Sequence, residues 1–136
     1  MQRTGKLILI GLVVLIVCVG LGFAWGASGR GQVQNALDET RQRLDLAEAR
    51  GQILDARVSL YNNNFGDATR SFEEAKTALR RVLARYQDEG ERDAASGIGT
   101  AVERLDEAQR LAGKLDPAAN SKAGEVLEAI RVATRD

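Results

Sequence analysis

The sequence predicts an all-α protein: one transmembrane helix followed by two helical hairpins, set as a three- to four-helix bundle or a short stack. Three observations carry this. Residues 7–25 form a run of 19 without a charge. Four later segments place apolar residues at steps of three and four, the period of a helix face. No segment carries a strand signal bounded by turn residues on both sides. The expected organisation is an anchor over 1–26, a flexible linker over 27–32 and a helical-hairpin domain over 33–136.

The apolar run reads LILIGLVVLIVCVGLGFAW, from Leu7 to Trp25. A helix of that length spans about 28 Å, close to the hydrocarbon thickness of a bilayer. Arg3 and Lys6 precede it, and only Arg30 follows before Arg41 and Arg43. The positive-inside rule then places the N-terminus in the cytoplasm and the remainder outside. With no eukaryotic sorting mark in view, the expected site is a bacterial inner membrane with a periplasmic domain. Trp25 stands where an interfacial aromatic belongs.

Other readings of this segment fit less well. A cleavable signal peptide would use Ala24 and Gly26 as its small residues, but its apolar core is normally shorter. A lipoprotein signal ending at Cys18 needs a small residue before the cysteine, and Val17 is there. A buried core helix would show a polar face. Cys18, Gly22 and Gly26 fall four apart, so small residues line one face and would admit a second membrane helix.

The first helix of the domain is expected over about 33–61. Val33, Leu37, Thr40, Leu44, Ala47, Gly51, Leu54, Val58 and Tyr61 recur at four and three without a slip, as a heptad seam does. Because Thr40, Ala47 and Gly51 are small, this seam is expected to pack closely on a neighbouring helix of the same chain. Asn62-Asn63-Asn64 interrupts it, since asparagine tolerates the left-handed conformation and also caps a following helix. The second helix is expected over 65–86, with Phe65, Ala68, Phe72, Ala75, Leu79, Val82 and Tyr86 inward. Asp67 suits the positive end of its dipole. So short a break makes the two helices antiparallel.

Asp88-Glu-Gly-Glu-Arg-Asp93 is a polar connection. The third helix is expected over 94–115, with Ile98, Ala101, Leu105, Ala108, Ala112 and Leu115 inward. Asp116-Pro117 ends it, because the residue before proline is pushed out of the helical region. The fourth is expected over 121–134, burying Ala123, Val126 or Leu127, Ile130 and Ala133.

The stretch Ala56 to Ala75, ARVSLYNNNFGDATRSFEEA, resembles the hinge of a tetratricopeptide repeat. Ala56 matches the small position of the first helix, and Phe65 the aromatic after the turn. Ala68, Phe72 and Ala75 match the spacing of the second helix. The family's usual turn glycine is Asn63 here, and Asn64 completes the hinge. The resemblance covers one hairpin and no array, because the nearest echo, Ala123, Leu127 and Ile130, falls 55 residues on rather than 34. It implies a helical groove that binds protein or peptide.

Composition narrows the function classes. The chain contains no histidine. That excludes His-dependent triads, His-ligated zinc and haem, and the Glu-x-x-His di-iron bundle. Without Arg3 and Lys6 there remain 17 basic and 19 acidic residues, a balance of −2. Nucleic-acid binding normally needs a basic stripe. In Asp88–Asp93, Gly90 and Arg92 fall where a calcium loop needs oxygen ligands. Gly97-Ile98-Gly99 follows no strand and does not read as a phosphate loop.

No catalytic, cofactor or metal residues are therefore expected. Arg80, Arg81 and Arg85 form a basic face, expected to pair with nearby acids such as Glu73, Glu74 and Glu89. Tyr61, Arg81, Arg85 and Tyr86 are the candidate partner contacts. The expected function is a membrane-anchored, non-catalytic interaction or scaffold module, in contact with lipid through residues 7–25 and with other proteins, itself included, through its domain. The alternative is a small accessory subunit of a larger membrane complex, docked through Cys18, Gly22 and Gly26.

Overall fold

A computed structural model of the chain describes residues 33–134. The expected anchor and linker lie outside the described residues, and so do Cys18, Gly22 and Gly26. Among the described residues there is no strand, and no helix is long and apolar enough to cross a membrane. Residues 33–61 are helical, and the chain divides after Thr40 into two compact units. Of the first unit, residues 33–40 are described; Val33 and Leu37 there are exposed. The second unit holds α1 (residues 41–61), α2 (Phe65–Asp88), α3 (Arg92–Gly113) and α4 (Ala118–Ala133).

The four helices of this unit close into a ring. α3 packs on both α2 and α4. Arg81 on α2 donates from Nε to Oδ1 of Asp45 on α1 at 2.9 Å. On its other side α1 meets α4: Arg50 donates to Thr134 Oγ1 at 3.0 Å, and Arg57 to Asn120 Oδ1 at 2.8 Å. The partner number falls as the α1 number rises, so α1 and α4 are antiparallel. Sequential neighbours joined by short turns then make an up-down-up-down bundle. Of the two expected arrangements, the bundle is the one formed.

Each turn is made the same way. After α1, Asn64 N–H reaches Ser59 O at 2.8 Å and Asn63 N–H reaches Leu60 O at 3.0 Å. Asn63 sits at φ 57°. That pairing ends a helix through one left-handed residue. Gly90 at φ 76° does the same after α2, with Glu91 N–H on Tyr86 O. Leu115 at φ 58° does it after α3, with Asp116 N–H on Leu111 O. Asn64 also starts α2, its Oδ1 accepting from Asp67 N–H.

The core is narrow. Among the described residues 22 apolar side chains are buried, and 11 of them are alanine. Phe72, Ile53, Leu79, Ile98, Leu105 and Ile130 are the largest that are fully enclosed. Small side chains bring the helix axes together, and the larger ones fill the space between turns. The closest approach is at Gly97, where a Cβ would stand 2.5 Å from Ala133 Cβ and 3.1 Å from its Cα.

The expected inward faces of α2, α3 and α4 are largely those observed, although α3 and α4 begin two to three residues earlier than expected. Leu115 is an exception: it is 66% exposed, because the left-handed conformation that ends α3 turns it outward. Val126 is buried and Leu127 lies at the margin. The α1 seam is the larger correction. Leu44, Ala47, Gly51, Leu54, Val58 and Tyr61 are all exposed, and Leu46, Ala49, Ile53, Ala56 and Leu60 face the core instead.

Two glycines of α3 predict opposite outcomes. Gly97→Ala forces α4 to shift and should lower stability by roughly 1 kcal/mol, the steric cost exceeding the gain in helix propensity. Gly99→Ala meets nothing within 4 Å and should raise stability by about 0.5–1 kcal/mol. Urea unfolding of both variants against the parent checks the signs.

Candidate interaction surface

Helix α1 carries two apolar stripes. One, Leu46-Ala49-Ile53-Ala56-Leu60, steps three and four and is buried. The other starts at Leu44 and continues through Ala47, Gly51, Leu54, Val58 and Tyr61 at the same steps, displaced by two residues. At about 100° per residue the two stripes lie about 200° apart, on opposite sides of the helix. The bundle satisfies the first. The second faces out, with Leu44 at 64%, Leu54 at 50%, Val58 at 60% and Tyr61 at 82% exposure.

The other helices lack this feature. Opposite its buried face α2 presents Arg70, Glu74 and Thr77, and α3 presents Thr100, Glu103 and Arg110. Those are ordinary solvated faces. Exposed apolar residues scattered singly need no explanation, but those of α1 form an aligned row at helical spacing.

Polar contacts flank the stripe and hold α1 in place. Asp45, nearly buried, accepts from both Arg81 and Arg85, and Glu48 accepts from Arg81 at 2.8 Å. Burial of Asp45 opposes its charge, but the two guanidinium groups outweigh that and hold its carboxyl below the usual value of 3.8. A second latch joins α2 to α3. Lys76 donates to Asp106 at 3.0 Å and to Gln109 at 2.6 Å, and pairs with Glu73 at 2.8 Å. Its burial also opposes charge, and the bonds to Glu73 and Asp106 raise its pKa despite that.

An open cleft of about 1000 Å³ lies at the α2–α3 turn, with Tyr86, Gly97, Arg104 and Glu128 among its lining residues. Its charged walls are of mixed sign. Among the described residues no three acidic or cysteine side chains converge as a metal site requires.

The sequence-predicted residues divide clearly. Ala56, Ala68, Phe72 and Ala75 are fully buried, Phe65 is half-buried, and Asn63 and Asn64 form the turn; together they close the α1–α2 hairpin. Tyr61 is exposed, whereas Tyr86 is 8% exposed and belongs to the core. Arg81 and Arg85 reach across to Asp45 and Glu48 on α1 rather than to the acids expected beside them. Their long side chains span a helix interface, which local spacing along one helix does not reveal. Leu46, Ile53 and Leu60 were absent from the expected face. A search for a second stripe displaced by two residues would have found them. No protein-family model, curated protein or solved structure matches the chain.

Asp45→Asn should cost about 1–2 kcal/mol at neutral pH, discounted for the partial exposure of Arg81. Because the folded-state pKa of Asp45 is depressed, its contribution is complete above about pH 4 and is lost as pH falls further. The stability deficit of the variant should therefore shrink between pH 7 and pH 3. Urea midpoints of both proteins at the two pH values measure this.

Proposed function

We propose that the chain is a membrane-anchored, non-catalytic protein-interaction module, with its helical domain on the periplasmic side of a bacterial inner membrane. The observation that carries this reading is the outward apolar stripe of α1. A helix already satisfied by its own bundle gains nothing from a second stripe unless something else covers it. The uncharged run from Leu7 to Trp25, with its basic residues in front, supports the anchor and its orientation. The likeness of the α1–α2 hairpin to a tetratricopeptide hinge belongs to the same reading.

A second reading, an accessory subunit of a larger membrane complex, is favoured by the four-residue spacing of Cys18, Gly22 and Gly26. Replacing the anchor by an unrelated one separates the two. Assembly that survives the exchange belongs to the helical domain, and assembly lost with it belongs to the anchor.

The direct test is the native mass of the full chain extracted in mild detergent. The expected mass exceeds that of one 14.7 kDa chain. The Leu54→Glu/Val58→Glu variant should return to a single-chain mass, with helicity and unfolding midpoint little changed, since both positions are exposed. A single-chain mass for the unaltered protein in several mild detergents would overturn the reading.

A further inference from the structure

We infer that the partner covering the outward stripe of α1 is a second copy of this chain, paired in parallel and in register. The inference rests on the proposed interaction role of that stripe and adds the identity and direction of its partner.

The spacing sets the geometry. Leu44, Gly51 and Val58 recur every seven residues, and so do Ala47, Leu54 and Tyr61. This is the seam of two helices wound around each other, with the first set at the a positions and the second at the d positions. A helix docking into a globular groove needs no such regularity through three successive a and d positions.

Flanking charge chooses the partner and its direction. The positions before the a residues are Arg43, Arg50 and Arg57, and those after Ala47 and Leu54 are Glu48 and Asp55. In a parallel pair each flanking residue faces the one five further along the other chain. Arg43 then meets Glu48 and Arg50 meets Asp55, twice each by symmetry. In an antiparallel pair the arginines face arginines. The stripe is thus self-complementary in one direction only. The contacts of Arg50 and Glu48 within the bundle are compatible with this. Arg50 uses Nη2 on Thr134 and Glu48 accepts from Arg81 through Oε2, leaving further donors on the guanidinium and the other carboxylate oxygen.

Gly51 adds a separate observation. It lies within α1, where glycine is unfavourable, yet a Cβ there would meet nothing within 4 Å. Nothing among the described residues requires the missing side chain. Beside Ala47 it forms the thinnest part of the seam, where two backbones would approach most closely. Anchoring acts in the same direction: two copies held by identical N-terminal segments enter the bilayer with one orientation and at raised local concentration.

Cysteine cross-linking of the full chain in its membrane tests this. In a Cys18→Ser background, Ala47→Cys and Leu54→Cys each place a thiol at a d position, and Glu74→Cys places one on the polar face of α2. Mild oxidation should double the mass of both seam variants to twice 14.7 kDa and leave the α2 variant unchanged. Adding Arg50→Glu should reduce the Leu54→Cys product, and adding Asp55→Arg to that should restore it. An antiparallel pair can link at only one of the two seam positions, so a product at one alone overturns the inference. So does a product joined to a protein of different mass, which leaves the interaction reading intact. No product at either position, together with a single-chain native mass, removes both.

Discussion

Close approach of four helices through alanine is the constraint on which the rest of the unit depends. Half of the buried apolar side chains among the described residues are alanine, and at Gly97 even a methyl group has no room. Such a core leaves little space per helix turn. One narrow face of each helix fills it, and the remaining faces stay outside. In α2 and α3 those faces are charged, as solvation requires. In α1 the outer face is apolar, and a core this tight cannot take it in. The stripe is therefore excluded by packing rather than left over by chance.

The same constraint explains the polar latches. Alanine buries little area, about a methyl group's worth each, so an alanine-rich interface contributes less by the hydrophobic effect than a leucine-rich one. Ion pairs and hydrogen bonds fasten each adjacent pair of helices: Asp45 with Arg81 and Arg85, Lys76 with Asp106, Arg104 with the carbonyl of Glu125, Arg57 with Asn120. The most buried of these groups, Asp45 and Lys76, are also those whose partners outweigh the cost of burying a charge. They fix which helix stands beside which, and they hold α1 so that its second stripe points away from the bundle.

Turn chemistry links sequence to topology. Three left-handed residues, Asn63, Gly90 and Leu115, each end a helix within two or three residues of the next. Asn63 was readable because asparagine tolerates that conformation, and the proline after Asp116 marked the third turn without identifying the residue that makes it. Leucine at a left-handed position carries a steric cost. It is exposed there, because reversing the chain overrides the preference of its side chain for the core.

By itself the sequence determined the helical class, the number of helices in the domain and most of the inward faces of α2 and α3, because each of those helices has a single apolar stripe; on α4 it left Val126 and Leu127 open. Phe65, Ala68, Phe72 and Ala75 were legible for the same reason, whereas Ala56 lies off the expected α1 seam and was singled out by the resemblance alone. Only the tertiary structure decided which side of α1 is inside. Its two stripes share one period and differ by two residues, so periodicity alone scores them alike. The choice falls to what each stripe meets: Leu46, Ile53 and Leu60 find the narrow space left by three other helices, and Leu44, Leu54 and Val58 do not. The pairings of Arg81 and Arg85 across to α1 were likewise invisible along the chain, since a long side chain chooses its partner from the neighbouring helix once the ring has closed.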